Sequence, residues 1–350
     1  MSIVLKIGIL TLPLGYNYGN LLQAYALQTI LQRMGHDAKV LNHRLGLSNR
    51  GLRQRIVLAF SQYNFRKFVR KHINLTKEIK SSIQWNNINS FDVIIVGSDQ
   101  VWNYENNGRD FAFLLDFVTD NEKKISYSSS FGLSSVPKEL HEEYKYNLLK
   151  IKYISVRERH AVDLVRELSG RSAELVLDPV FLLSREEWQQ FLLNRPRSRY
   201  IFTYTNQPGQ VERFLNQTGY DIQHFKHYKL ARATSLLDFL SGHTCVKYAM
   251  SPSEFISCIN YAKLVVSASF HCIALSIVLN KPFVAILTGD TGKDERILSI
   301  LQLLGLQNRI YSPSMTLEEI NFPINYKSVN EEISRLRKDS FQFLINSIEK

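Results

Sequence analysis

Short runs of β-branched and aliphatic residues alternate along the chain with segments of helical spacing. The runs fall at Val4–Leu10, Ala38–Leu41, Val93–Val96, Lys124–Ser128 and Tyr153–Val156, then at Leu175–Leu177, Tyr200–Tyr204, Cys245–Lys247, Leu264–Ser267 and Phe283–Leu287. Most are predominantly apolar and lack the alternation of a strand with one wet face. They predict strands covered on both sides, and therefore parallel sheets flanked by helices. Between them lie helical patterns such as Leu21–Met34, Glu139–Leu149, Arg159–Leu168 and Pro252–Asn260. The first has Asn20 as its expected N-cap and Gly35 as its stop.

Length changes the picture from one sheet to two. At 350 residues the chain exceeds the roughly 250–300 residues that one core supports. The strand–helix series restarts after Ser169–Ser172. The expected division is an N-terminal Rossmann-like domain over residues 1–170, a second over 171–328, and a C-terminal helix over 329–350. Hydrophobic residues make up 45% and charged residues 21%, the composition of an ordinary globular chain.

Charge adds an uneven feature. Of a net +11, the stretch from Arg44 to Lys80 holds ten Lys/Arg against the single acid Glu78, a local +9. Within it, Gly51–His72 reads as a helix with Leu52, Ile56, Phe60, Tyr63 and Phe68 along one side. Such a helix is either a solvated surface element or one resting on anionic headgroups. The N-terminus is apolar but is interrupted by Lys6 and lacks a cleavage signal, so it reads as a buried strand. No run is long enough to span a membrane. Three cysteines, Cys245, Cys258 and Cys272, have neither metal-ligand nor CxxC spacing and suit a reducing cytoplasm.

Parallel sheets bind ligands beyond the carboxyl ends of their strands, and the unusual residues gather there. The first strand leads into Pro13–Asn20, a loop with two glycines that delivers Asn17, Gly19 and Asn20 to a helix start able to hold an anion. After Val93–Val96, Ser98, Asp99 and Gln100 surround Trp102, an arrangement suited to sugar hydroxyls or, alternatively, to an Asx turn beside a packed indole. Ser130 follows the next strand. Arg157 follows the one after, where it can grip a carboxylate or phosphate bidentately or pair with the next helix start. In the second half, Ser269, Phe270 and His271 follow Leu264–Ser267, with a helix expected from Ile273.

These segments, in this order, resemble the polysaccharide pyruvyl transferase family. The resemblance rests on Asn17-Tyr18-Gly19-Asn20 with Gln23–Leu27, on Gly97–Trp102, on Ser126–Gly132, on Ser155–Glu158, on Asp178-Pro179 and on Ser269-Phe270-His271. It implies two Rossmann-like domains facing across a cleft, as in the GT-B architecture, with the acceptor on the N-terminal and the donor on the C-terminal side. It implies phosphoenolpyruvate as donor, a sugar diol of a glycan or lipid-linked precursor as acceptor, and a pyruvate ketal as product, without cofactor or metal. By position, Arg157 would hold the donor's anionic groups and His271 would serve as general acid or phosphate ligand. The chain departs from the pattern at Cys272, where many relatives carry glycine.

Two other readings remain. A glycosyltransferase of the same architecture would use a nucleotide sugar, with Thr288–Glu295 as a candidate grip. A non-catalytic binder of anionic glycan or nucleic acid would use the +9 segment, although no nucleic-acid fold signature is present and none is expected as partner. The expected location is the cytoplasm, with peripheral contact to anionic membrane through residues 44–80.

Overall fold

The computed structural model describes residues 3–14, 17–43, 63–79, 85, 87–107, 111–205, 207–218, 226–230, 244–247 and 250–349. It divides into two compact units. Among the described residues, the first is built from residues before 44, Phe65–Leu182 and those from Ser334 on, and the second from residues 63–64 and Leu183–Ile333.

The first unit carries a six-stranded parallel sheet of β1 (Lys6–Leu10), β2 (Asp37–Val40), β3 (Val93–Val96), β4 (Lys124–Ser129), β5 (Tyr153–Val156) and β6 (Glu174–Leu175), in the order β2-β1-β3-β4-β5-β6. Strands β3 and β4 are buried at every position, β3 as its unbroken apolar run requires. The strand order reverses between β1 and β3, which is where a doubly wound sheet opens a crevice for ligands. Helix α1 (Tyr18–Arg33) follows β1. Its N-cap is Asn17, whose side chain accepts from the Gly19 N–H, and not Asn20, which is buried in the first turn. Gly35 takes φ +93°, the left-handed conformation expected of a residue just past a helix end.

Residues 63–72 form α2. It lays Phe65 and Phe68 against α1, with ring centroids 4.8 Å (Tyr18–Phe65) and 6.1 Å (Tyr25–Phe68) apart. Val69 is buried with them, while Arg66, Lys67, Arg70 and Lys71 face outward. The expected apolar side is thereby corrected: Tyr63 is 68% exposed. The rest of the basic segment, residues 44–62 and Lys80, lies outside the described residues.

Helices α3 (His141–Leu148) and α4 (Arg159–Ser169) complete the described α/β units of this sheet. The unit then runs past the expected 170/171 boundary to Leu182, because β6 pairs with β5 and Asp178 is tied into the site described below.

The second unit carries a five-stranded parallel sheet of β7 (Tyr200–Tyr204), β8 (Lys226–Leu230), β9 (Thr244–Lys247), β10 (Leu264–Ser267) and β11 (Phe283–Ala285), in the order β11-β10-β7-β8-β9. Its order reverses between β7 and β10. Strand β8 was not expected: Lys226-His227-Tyr228-Lys229-Leu230 is too polar to read as a buried strand. Helices α5 (Pro208–Thr218), α6 (Pro252–Tyr261), α7 (Phe270–Val278) and α8 (Thr291–Leu303) flank this sheet. The last helix, α9 (Tyr326–Ile348), begins among residues of the second unit and ends among those of the first. The two parallel α/β units expected from the sequence are thus both present. No described helix is long and apolar enough to cross a membrane.

Candidate active site

At the reversal point of the first sheet, the loops after β1 and β3 are held by side-chain amides. Gln23 is fully buried. Its Nε2 donates toward Thr11 Oγ1 (2.9 Å), Asn20 Oδ1 (3.0 Å) and Asn20 O (2.9 Å), and its Oε1 accepts from the Ser98 N–H (3.0 Å). Asn20 Nδ2 donates to Leu12 O (2.7 Å) and Pro13 O (3.2 Å). A helix face thereby satisfies the backbone of two loops that no strand can pair.

Below this lies a buried charged cluster. Arg157 Nη1 donates to Asp178 Oδ2 and Nη2 to Asp99 Oδ1, each at 3.0 Å, with Glu158 Oε2 3.6 Å from Nε. The Arg157 side chain is 0% exposed. Burial alone would lower the guanidinium pKa, but the carboxylates of Asp99, Asp178 and Glu158 outweigh it and hold it above its ordinary value. Ser98 Oγ lies 2.9 Å from Asp178 Oδ2, and Asp178 Oδ1 caps the Val180 N–H. Asp99 adopts φ +77°, and its backbone carbonyl accepts from Ser130 N and Val101 N. Gly97 is required beside it: a Cβ there would stand 2.1 Å from the Tyr127 carbonyl oxygen.

The serines of β4 have a local cause. The register shifts between Ser126 and Ser129, and Ser128 takes φ +54°. Ser155 Oγ accepts from the Ser128 N–H (3.1 Å), and Ser126 Oγ bonds Ser155 O (2.9 Å), so hydroxyls replace the ladder bonds lost at the bulge.

The expected site residues take the following places in this geometry. The Arg157 side chain is buried and braces two carboxylates. Trp102 is 1% exposed, packs on Phe131 (5.2 Å between ring centroids) and donates from Nε1 to Phe113 O, so its indole face is not offered to a sugar. Asn17 and Asn20 serve the loop and helix start, and Gly19, Ser98, Asp99 and Ser130 are all buried. Gln100 is half-buried and lies over Gly132, where a Cβ would come 1.9 Å from its Nε2. Two organising residues, Gln23 and Asp178, were in view only as parts of the resemblance. A buried amide at a helix start and an Asp-Pro pair carry no chemical signal without their partners.

In the second unit, Ser269, Phe270 and His271 fall at the carboxyl end of β10, beside β7. Ser267 Oγ donates to Tyr204 O and accepts from the Ser269 N–H, which ties the two strand ends together. Helix α7 begins at Phe270, three residues before the expected start, so His271 sits in its first turn, 5% exposed, its ring edge-on to Phe270 at 5.1 Å. Ser269 is the N-cap, yet its side chain makes no capping bond. Cys272 is fully buried, its thiol pushed up to about 12, chiefly by desolvation, and is therefore a packing residue with little thiolate character.

The acidic turn after β11 is spent internally. Asp294 accepts from Thr288 N (2.8 Å), Thr288 Oγ1 (2.9 Å) and Gly289 N (2.8 Å), and Asp290 caps α8. An open groove of about 570 Å³ in this unit, lined by residues such as Tyr311, Met315 and Phe322, contains none of the expected site residues. Among the described residues, no three His, Cys, Asp or Glu side chains cluster as metal ligands.

Three solved structures show the same fold at low sequence identity. UDP-GlcNAc 2-epimerase from Neisseria meningitidis bound to UDP-GlcNAc is 10% identical with a TM-score of 0.57, over 97% of this chain and 100% of that one. The S. aureus MnaA–UDP co-structure is 10% identical with a TM-score of 0.55, over 95% and 90%. UDP-GlcNAc 2-epimerase from Methanocaldococcus jannaschii is 10% identical with a TM-score of 0.53, over 94% and 92%. No curated protein matches the chain. A family model described as polysaccharide pyruvyl transferase matches residues 17–290, from the N-cap of α1 to the N-cap of α8 and through every strand but β1, and the chain belongs to that family.

Proposed function

We propose that the protein transfers the pyruvyl group of phosphoenolpyruvate to two hydroxyls of a sugar in a cell-surface glycan or its precursor, forming a pyruvate ketal and releasing phosphate. Family membership over residues 17–290 is the observation that carries this reading. The start of α7 supports it. A donor bearing a phosphate and a carboxylate needs positive potential, and a helix N-terminus without a side-chain cap supplies backbone N–H donors and the positive end of the dipole.

In the proposed chemistry, a proton is delivered to the methylene carbon of the donor, leaving a cation-like centre beside the ester oxygen. One sugar hydroxyl adds with loss of its proton, phosphate departs with the ester oxygen, and the second hydroxyl closes the ketal with loss of its own proton. His271, in the first turn of α7 at the carboxyl end of β10, is the residue assigned to deliver the proton or to hold the phosphate. Ser269 contributes a hydroxyl that the helix does not use. The acceptor is assigned to the strand-end loops of the first sheet. The same reading keeps the protein in the cytoplasm, with the basic outer face of α2 on anionic headgroups when the acceptor is lipid-linked.

The test is phosphate release from phosphoenolpyruvate across a panel of sugar acceptors, with mass spectrometry of the product. The expected product gains the mass of pyruvate less water, and His271→Gln loses at least ~100-fold in turnover with an unchanged melting temperature. Consumption of a nucleotide sugar with no phosphate release from phosphoenolpyruvate would replace this reading with glycosyl transfer.

A further inference from the structure

The opposite edge of the second sheet, where strands begin, carries a concentration of cations that the proposed reaction does not use. The parallel register pairs Leu264 with Ile201 and Val265 with Phe283. Two positions earlier than the second pair, Lys263 therefore stands opposite Lys281. Neighbouring strands lie about 4.8 Å apart, so the two lysines leave the sheet edge side by side. The Lys263 N–H donates to Tyr200 O (2.9 Å), which brings Arg199, the residue before Tyr200, to the same edge. Arg185, Arg195, Arg197, Arg199 and Lys263 are exposed, and Lys281 is half-buried among them.

Three cations, Arg185, Arg195 and Lys263, act on the Lys281 ammonium. With burial as the larger cause, they hold its pKa below the ordinary lysine value. The nearby carboxylate of Glu187 is turned into its own helix start, accepting from the Ser184 N–H. Helices α6 and α7 end toward this edge, at Tyr261 and Val278, and a helix C-terminus does favour cations. Each supplies only about half a negative charge, against Lys281 and the three cations around it, with Arg197 and Arg199 beside them. The folded chain thus holds like charges together at a cost, which a ligand of opposite charge would relieve.

We propose that this edge is a binding site for a phosphate-bearing anion, with Lys281 and Lys263 at its centre and Arg185 and Arg195 at its rim. Two or more charges on the ligand are needed to balance the cluster, and arginine forks match phosphate oxygens bidentately. The site is separate from the start of α7, which lies at the other end of β10.

The experiment compares the intact protein with Lys263→Gln/Lys281→Gln. In low salt without added anion, the double variant should melt higher, by about 2–4 °C, because repulsion has been removed. Inorganic pyrophosphate at matched ionic strength should raise the melting temperature of the wild type and leave that of the variant almost unmoved. Vesicles containing phosphatidylglycerol form the second arm. Weaker sedimentation of the variant with them, together with no response of the wild type to pyrophosphate, assigns the phosphate to a lipid headgroup. Equal pyrophosphate responses and equal vesicle binding in the two proteins overturn the site. Phosphate release from phosphoenolpyruvate is expected to be the same in both, so failure here and failure of the proposed reaction are read separately.

Discussion

Arg157 shows how a residue's role depends on what it faces. Its place at the carboxyl end of β5 is legible in the sequence, and an arginine there reads naturally as an anion grip. The sequence does not show that Asp99 and Asp178, 58 and 21 residues away, converge on the same guanidinium. Removing one partner of a buried ion pair costs about 3–5 kcal/mol. Arg157→Ala is therefore expected to lower the stability of the first unit by that order in urea unfolding. Arg157→Lys should recover only part of it, since one ammonium cannot serve both carboxylates at 3.0 Å in a fixed fork. A variant with an unchanged unfolding midpoint and a raised KM for the donor would restore the residue to donor binding. Trp102 follows the same logic: a lone indole among polar residues reads as a sugar platform until its core neighbours are known.

Elements with an unbroken apolar run were legible, and those whose role is set by a partner were not. Strands β3, β7 and β10 lie where their runs predict them, because apolar residues on both faces have no alternative but burial. Strand β8 was missed because its lysines and histidine carry no such constraint. Helix α2 falls between the two cases. Its existence was expected, but its buried face is set by the aromatic residues of α1. Phe65→Ala should therefore cost about 3–5 kcal/mol of stability, whereas Lys67→Ala, on the outer face, should stay within ~0.5 kcal/mol; thermal denaturation of the two variants checks the contrast. Comparable losses would mean that the helix is not docked by its apolar side.

For the molecule as a whole, two doubly wound sheets were predictable from length and the restart of the strand–helix series. The discontinuity of the first unit was not, because nothing local in Ser334–Lys350 names its destination. There, Ser340 Oγ accepts from the Leu177 N–H (3.0 Å), Arg337 Nε donates to Phe181 O (2.8 Å), and Phe343 packs on Tyr127 with ring centroids 6.1 Å apart. A chain ending at residue 333 leaves the buried Leu177 N–H without its acceptor, at a cost of about 1–3 kcal/mol for that group alone. Hydrogen exchange should then show β6 and the Asp178 turn opening first in the truncated chain; protection equal to that of the full chain would mean that the tail is dispensable.

The same connectivity has a consequence for biosynthesis. Translation runs at about 5–20 residues per second, and domains commonly fold in the order in which they emerge. Here the segment made first depends on the segment made last. Once Leu182 has been added, on the order of ten to thirty seconds pass before the ribosome reaches the C-terminal end of α9. During that interval the nascent first sheet lacks its final covering residues, while the second unit gains Leu183–Ile333 and is complete before Ser334 is added.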